Sequence, residues 1–376
     1  MQFTYEMPTR VISGRNCVIE KAGEMKRFGQ KAIIVTGKHS AKINGALEDM
    51  KTALAANGQD YVIFDQAIPN PTIESAREGA AFAKKEKVDF VIAIGGGSPM
   101  DTGKAIALLA RQELRDGELF ARSYDEGALP IVCLPTTAGT GSEVTKVSVL
   151  IYPEKETKCS IGGRAMFPKL SYLDGKYMNT LGRETTLNTA IDAISHAVEG
   201  MLSKAASPMS DRLGEESIAI LASYLPKIGQ MEEKDAILTE EERDELLYAA
   251  MLAGMVIANT GTNIVHAMGY GLTYFQGTDH GRANGLLLAA YLELVQTEYA
   301  EKVEHILKTM GYESLEAFRE EMKALLGERE SVSEEEVEQY TRIVLTAKAS
   351  SLAKCIRAAS EEEVKEIYRK SLPMKK

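Results

Sequence analysis

The chain has 376 residues, of which 44% are hydrophobic and 26% are charged, and its formal net charge is −10. These values are typical of a globular protein with one large or two smaller domains. The negative net charge argues against broad binding to nucleic acids or anionic membranes, which requires a basic face, but it leaves room for a local basic pocket for a phosphate. The four cysteines are scattered and form no CxxC pair, so we expect no disulfides. Neither a secretory leader nor an apolar run of membrane-spanning length is visible, so we expect a cytoplasmic protein.

The first half of the chain alternates short apolar runs with segments of helical length. Buried strands are predicted over residues 32–36, 61–65, 89–94 and 130–135, and helices over residues 41–57, 73–86 and 99–111. This alternation is typical of βαβ units around a parallel sheet. A further β-rich run over residues 147–152 lies in a looser stretch that ends near residue 177.

From residue 184 onward the apolar spacing is helical. Thr239, Ser333 and Ser360 each precede three glutamates, which is the pattern of a capping box at the start of a helix. We therefore predict a two-domain protein that combines an α/β and an all-α fold. A Rossmann-like α/β dinucleotide-binding domain covers residues 1–182, and a helical domain covers residues 183–376.

A glycine-rich turn follows the third predicted strand and opens a predicted helix. Gly95, Gly96 and Gly97 let the backbone approach an anion, and Ser98 is placed to cap the helix. Free N–H groups and the helix dipole then favour a phosphate. The turn matches neither the P-loop nor the GxGxxG spacing, so a tight structural turn is the alternative.

A second loop, rich in hydroxyl groups, follows the next predicted strand. Its hydroxyl side chains are Thr136, Thr137, Thr140 and Ser142. Strand ends in an open α/β sheet are where ligands bind, so two such loops together indicate a dinucleotide with a pyrophosphate.

Three of the five histidines and one aspartate form a candidate metal site in the second half. Asp192 and His196 are four residues apart, which places them on one face of a helix. His266 and His280 are fourteen apart, roughly 21 Å along an unbroken helix, so the chain must fold back between them. The predicted breaks are Gly269, Gly271 and Gly277. One carboxylate with three imidazoles suits Fe²⁺ or Zn²⁺ better than Ca²⁺ or Mg²⁺.

These segments, in this order and spacing, resemble the iron-containing (group III) alcohol dehydrogenases over nearly the whole chain. The resemblance implies a dehydroquinate-synthase-like fold with metal and nicotinamide cofactor in the cleft between domains, and a homodimer. Position by position, it assigns the pyrophosphate to Gly96, Gly97 and Ser98 with Asp101 nearby, and the adenine and ribose to Asn70, Thr136, Thr137 and Leu181. It assigns the nicotinamide side to Thr140, Ser142 and Lys158. The metal ligands it implies are Asp192, His196, His266 and His280.

Two positions depart from the family pattern. Many NAD-using members have an aspartate where this chain has Gly37, and that acid would repel a 2′-phosphate. With Lys38, Ser40 and Lys42 nearby, we predict a preference for NADP(H) over NAD(H), although both lysines can equally be ordinary surface residues. Many members have a second histidine where Tyr270 stands, so Tyr270 either relays a proton or packs against the nicotinamide.

The predicted reaction is hydride exchange between nicotinamide C4 and a small primary alcohol or aldehyde whose oxygen is held by the metal. Leu272 and Phe275 are expected to line its pocket. The alternatives are a glycerol- or polyol-dehydrogenase-like member of the same fold, a synthase or lyase relative, and a metal-binding protein without catalysis. Turnover of butanal with NADPH, followed by metal analysis, separates these possibilities.

Overall fold

The computed structural model describes residues 2–121, 123–232 and 238–375. Its strands are β1 (Arg10–Ser13), β2 (Lys31–Thr36), β3 (Asp60–Phe64), β4 (Phe90–Gly95), β5 (Ile131–Pro135), β6 (Val147–Tyr152), β7 (Thr157–Gly162) and β8 (Leu170–Leu173). Six of these form one parallel sheet in the order β1-β8-β5-β4-β2-β3, and β6 and β7 form a separate antiparallel hairpin.

Helices cover both faces of the parallel sheet. They are α1 (Cys17–Glu20), α2 (Ser40–Ile43), α3 (Ala46–Asn57), α4 (Ile73–Lys85), α5 (Gly97–Leu109) and α6 (Asp116–Leu119), with 3₁₀ turns at Ala22–Phe28, Ser142–Val144, Pro153–Lys155, Arg164–Met166 and Gly175–Met178. Ile34 of β2 packs on the face that carries α3, whereas its neighbour Ile33 packs on the face that carries α5. Because both faces are buried, the central strands appear in the sequence as continuous apolar runs.

The helical half is built around its first helix. Its helices are α7 (Arg183–Met201), α8 (Pro208–Gly229), α9 (Glu240–Thr260), α10 (Ile264–Gly271), α11 (His280–Thr309), α12 (Leu315–Leu326), α13 (Glu334–Ala347), α14 (Ala349–Leu352) and α15 (Glu361–Ser371), with a π-helical turn at Leu272–Gln276. The buried α7 packs against α8, α9 and α11, so side chains on its inner face meet several helices at once.

The four predicted strands are confirmed to within one residue, and so are the three capping boxes, at α9, α13 and α15. The prediction of one helix over residues 41–57 is wrong, because Gly45 adopts a φ of 84° and separates α2 from α3. The predicted cap at Ser98 is also wrong: Gly96 is the N-cap of α5, and Ser98 lies inside its first turn.

The prediction of an α/β half followed by a helical half is confirmed, and the division into two domains at residue 182 stays a prediction. Over residues 2–121, 123–232 and 238–375, no single helix is both long and apolar enough to cross a membrane. One pair, α9 with residues Ile264–Gln276, reaches that length and composition only when taken together across a bend of 102°.

Candidate active site

One carboxylate and three imidazoles from three helices meet at one point. Asp192 and His196 lie on α7, His266 on α10, and His280 is the first residue of α11. Oδ1 of Asp192 is 3.5 Å from Nε2 of His266 and 3.9 Å from Nε2 of His280, and its Oδ2 is 4.0 Å from Nδ1 of His196. Ligand atoms of Asp192, His196 and His266 all lie within 4.8 Å of one another. The structure therefore brings together the four residues predicted from their spacing.

The chain folds back between His266 and His280 as predicted, through the π-helical turn and Gly277, which has a φ of 69°. The expectation that Gly269 and Gly271 also break the helix is wrong, because both lie inside α10. A Cβ on Gly269 would collide with the Asn284 side chain of α11. Gly269 therefore allows α10 and α11 to pack closely, and Asn284 in turn donates a 2.9 Å hydrogen bond to Asp192.

The donor atoms of this cluster fit a divalent transition metal. Nδ1 of His196 and Nε2 of His266 lie beside Asp192, are buried, and have no hydrogen-bond partner in the part of the chain that the structure describes. For His280, Nε2 is the nitrogen recorded near Asp192, and it is also 3.4 Å from Nδ2 of Asn284. Burial lowers the pKa of His196 to about 4 and that of His280 well below its ordinary value, so both are neutral at pH 7, the form that binds metals. Burial alone would raise the pKa of Asp192, but the surrounding imidazoles hold it well below its usual range.

Glu199 completes this cluster, and the sequence interpretation gave it no role. It is fully buried on α7, and its carboxylate contacts Nδ1 of His266. It also accepts hydrogen bonds from the backbone N–H groups of Asn263 (3.1 Å) and Val265 (2.7 Å). This contact places a proton on Nδ1 of His266 and leaves Nε2 facing Asp192.

The same carboxylate makes the site favourable for positive charge. Burial lowers the pKa of His266, but Glu199 and then Asp192 outweigh that effect and raise it to about 9. A divalent cation would supply this positive charge and displace the proton. Asp192, His196 and Glu199 follow the i, i+4, i+7 spacing of one helix face, so a sequence signal for Glu199 was available.

The glycine turn and the threonine loop lie against each other at the carboxyl edge of the sheet. A Cβ on Gly97 would be 2.7 Å from Cγ2 of Thr140, and one on Gly96 would be 3.0 Å from Oγ1 of Thr137. The turn follows β4, next to β2, where the strand order reverses and open α/β sheets bind ligands. The start of α5 is therefore a suitable cradle for a pyrophosphate.

A cavity of about 350 Å³ joins this cradle to the imidazole cluster. The predicted site residues that line it are Asn70, Gly97, Ser98, Asp101, Thr140, Ser142, Lys158, Asp192, His196, His266, Tyr270 and His280. The predicted residues outside this lining are Gly37, Lys38, Ser40, Gly96, Thr136, Thr137 and Leu181. The expectation for Leu272 and Phe275 is wrong: Leu272 is buried in the helical core, and Phe275 stacks on Tyr340.

Comparison with known proteins agrees with this arrangement. Residues 8–175 match the family model for iron-containing alcohol dehydrogenase, and residues 186–372 match the model for the C-terminal part of that family. The chain belongs to the iron-containing alcohol dehydrogenase family.

Individual members of the family match over most of the chain. Lactaldehyde reductase from Escherichia coli K12 is 33% identical over 303 residues, which cover 79% of this chain and 77% of that protein. Alcohol dehydrogenase 4 from Schizosaccharomyces pombe is 34% identical over 288 residues, covering 76% and 67%. The crystal structure of an iron-containing alcohol dehydrogenase from Thermotoga maritima superposes with a TM-score of 0.90 at 38% identity and covers 99% of both chains.

Membership of this family makes the chain an oxidoreductase that acts on alcohols and aldehydes, and implies a metal and a nicotinamide cofactor. When bound, such a metal polarises a substrate oxygen as a Lewis acid, and the nicotinamide gives or takes a hydride. The chain itself provides the imidazole cluster at one end of the cavity and the phosphate cradle at the other.

Tyr270 lines the same cavity beside the imidazole cluster. Its ring stacks on that of His280, with centroids 5.3 Å apart and an interplanar angle of 11°. Nζ of Lys348 is 4.3 Å from the Tyr270 ring centroid, and Nζ of Lys158 is 5.6 Å from it. Burial raises the pKa of Tyr270 above its usual range, so the phenol stays protonated at neutral pH. The sequence interpretation missed Lys348, whose Nζ donates to the backbone carbonyl of Lys158.

Proposed function

We propose that this protein is a metal-dependent alcohol dehydrogenase or aldehyde reductase for small primary alcohols and aldehydes, with Fe²⁺ or Zn²⁺ held by Asp192, His196, His266 and His280. The observation that carries the proposal is that His196 and His266 hold buried imidazole nitrogens, unpartnered among the described residues, beside the carboxylate of Asp192, with His280 next to them. In the reductive direction, a hydride from NAD(P)H goes to the carbonyl carbon and a proton to its oxygen, giving the alcohol and NAD(P)⁺. Relatives named lactaldehyde reductase and 1,3-propanediol dehydrogenase support a small substrate.

An anaerobic assay of the full chain tests this proposal. The expected result is oxidation of NAD(P)H with butanal that is lost on chelation and restored by Fe²⁺ or Zn²⁺. Full activity after proven removal of the metal would contradict it. Preference for glycerol would favour the polyol dehydrogenase alternative, and bound metal without turnover of any alcohol or aldehyde would favour a non-catalytic metal-binding protein.

We also propose that NADP(H) is preferred over NAD(H). Gly37, at the carboxyl end of β2, offers no carboxylate to repel a 2′-phosphate, and Lys38 and Ser40 follow it. Lys42 no longer supports the proposal, because its Nζ forms a 2.8 Å ion pair with Asp65. Equal or better kcat/KM with NADH than with NADPH would refute this preference.

Gly37→Asp is expected to lower kcat/KM for NADPH by about ten-fold or more relative to NADH, because the new carboxylate repels the 2′-phosphate. Steady-state kinetics with both cofactors measure this shift. Lys21→Met, an exposed substitution outside the cofactor region, provides the control for a nonspecific change of charge.

We propose that Tyr270 packs in the cavity and does not relay a proton. Its stacking on His280 and its raised pKa support this role. Tyr270→Phe keeps the ring and is expected to leave kcat within about three-fold of the wild-type value, measured at saturating substrate. A larger fall in kcat that grows toward one end of the pH range would instead assign the hydroxyl to proton transfer.

The family resemblance also supports a homodimer and a cytoplasmic location, which we propose together with the two domains, residues 1–182 and 183–376. Light scattering should then give twice the 41.1 kDa mass of one chain.

A further inference from the structure

Three lysines line the cavity without an ion pair to a carboxylate of the described residues. Lys158, Lys348 and Lys354 all line the cavity, and within the described ranges none forms an ion pair with an aspartate or glutamate. Lysines elsewhere are commonly paired, as Lys365 is with Glu338 at 2.7 Å. The cavity is therefore a place where unpaired positive charge collects, although the chain as a whole carries a net charge of −10.

The acidic groups of the same cavity are already engaged. Asp279 caps α11 and accepts hydrogen bonds from the N–H groups of Gly281 (3.1 Å) and Arg282 (3.4 Å). Asp101 accepts a 3.3 Å hydrogen bond from the hydroxyl of Ser142. Asp192 belongs to the imidazole cluster. None of these carboxylates is within ion-pair distance of the three lysines, and Asp101, Asp192 and Asp279 act on Lys158 only at longer range. An anion at hydrogen-bond distance can therefore be supplied by a ligand.

Lys348 is the best placed of the three to meet a substrate. Its residue is only 6% exposed, and an ammonium has three donors, of which the Lys158 carbonyl accepts one. Its Nζ is 4.3 Å from the centroid of the Tyr270 ring, and the same ring stacks on that of His280. Burial lowers the pKa of Lys348 to about 8, so it is mostly protonated at pH 7.

Lys354 extends the same wall toward the rim. The short helix α14 lies between Lys348 and Lys354, and its residue Ser351 also lines the cavity. Lys354 is exposed as a residue, yet partial burial still lowers its pKa. The segment from 348 to 354 thus lines the cavity with two lysines and a serine.

We propose that this wall binds an anionic group at the far end of the substrate, so that the preferred substrates are short aldehydes or primary alcohols that carry a carboxylate, sulfonate or phosphonate. The inference rests on the proposed function and specifies its substrate class. A buried charge without a counter-ion is unfavourable, and an anion that pairs with it forms a strong, charge-assisted hydrogen bond. Lys348 and His280 both contact the Tyr270 ring, so a short carbon chain that passes along the edge of this ring spans from one to the other.

Kinetics of the metal-loaded enzyme at saturating cofactor test the inference. The probes are 4-oxobutanoate and 4-methylpentanal, in which an isopropyl group replaces the carboxylate at nearly constant shape. We expect kcat/KM for 4-oxobutanoate to be at least about ten-fold higher. 3-Oxopropanesulfonate and 3-oxopropylphosphonate have the same chain length as 4-oxobutanoate. Comparing kcat/KM for the three substrates identifies which anion fits best.

Two variants assign the effect to the lysines. Lys348→Met and Lys354→Met remove the charge while keeping an unbranched side chain that is one atom shorter. Each is expected to lower the ratio of anionic to neutral kcat/KM by about ten-fold. Lys26→Met, an exposed substitution outside the cavity, should leave the ratio unchanged. Lys354 is exposed, so its variant retains the test if Lys348→Met fails to fold.

Binding of the unreactive anion butanoate to the wild-type enzyme, measured by calorimetry, gives a readout independent of turnover. Loss of this binding in either cavity variant supports the inference even if no aldehyde is turned over. The substrate class is overturned if kcat/KM for 4-methylpentanal equals or exceeds that for 4-oxobutanoate and both variants leave the ratio of the two values unchanged. The proposed function stays intact in that case.

Discussion

Replacing His196 by alanine is expected to abolish stable metal binding and to lower kcat/KM by about a thousand-fold or more. His196 is buried on α7, and its Nδ1 has no hydrogen-bond partner among the described residues, so a metal is the partner its environment suits. Three candidate ligands would remain, Asp192, His266 and His280. Lewis-acid polarisation contributes several kcal/mol to transition-state stabilisation, and each ~1.4 kcal/mol corresponds to a ten-fold change in rate.

Elemental analysis of the dialysed protein and steady-state kinetics measure the two effects of His196→Ala. His305→Ala is the matched control, because His305 is an exposed histidine of α11 whose Nε2 is 2.9 Å from Glu215. The control should keep one metal per chain and the wild-type rate. If His196→Ala also kept its metal and its rate while folded, the proposed metal site would be refuted.

The predictability of this site depended on how far apart its members lie in the chain. Asp192 and His196 could be paired from the sequence because a helix repeats every 3.6 residues. His266 and His280 were added to them as a hypothesis, since their spacing shows that the chain must turn back but not where the two imidazoles meet. The fold brings both to Asp192. The conformation of Gly277 provides that turn, whereas Gly269, the same residue type two turns earlier, serves close packing.

The partners of residues that act across a long stretch of chain were not predictable. Glu199 contacts His266, which lies 67 residues away, and a glutamate on a helix is ordinarily a solvated residue. Lys348 contacts the backbone of Lys158 across 190 residues, and it ends a helix whose exposed face is rich in charge. In both cases the packing of helices brings the groups together. Helical spacing places Glu199 on the face of Asp192 and His196, but it does not identify His266 as its partner.

The same reasoning applies to the sheet. The central strand β4 has six buried residues in sequence and was predictable as an apolar run. The four-residue strands β1 and β8 were missed, because runs of that length show no reliable pattern. They are strands because they pair in parallel with each other, although most of the first half of the chain lies between them.

Exchanging Glu199 for glutamine is expected to weaken metal affinity by roughly 10–100-fold while leaving the fold intact. Glutamine has nearly the same shape, but it removes the negative charge that favours a positive charge at His266. In the wild-type protein the carboxylate accepts hydrogen bonds from the backbone N–H groups of Asn263 and Val265. Glutamine also brings an amide N–H₂ group, which cannot accept them, close to these donors. The proton on Nδ1 of His266 is then held less firmly, and Nε2 is a weaker ligand.

Titration with Zn²⁺ or Fe²⁺ in the presence of a competing chelator measures the affinity of the Glu199→Gln variant. Glu215→Gln is the matched control, because it breaks another carboxylate–imidazole contact, the one with His305, at an exposed position. Only the buried pair is expected to affect the metal, since an exposed contact is screened by water and lies outside the cluster. Equal losses of affinity in the two variants would show that Glu199 acts on overall stability and not on the orientation and basicity of His266.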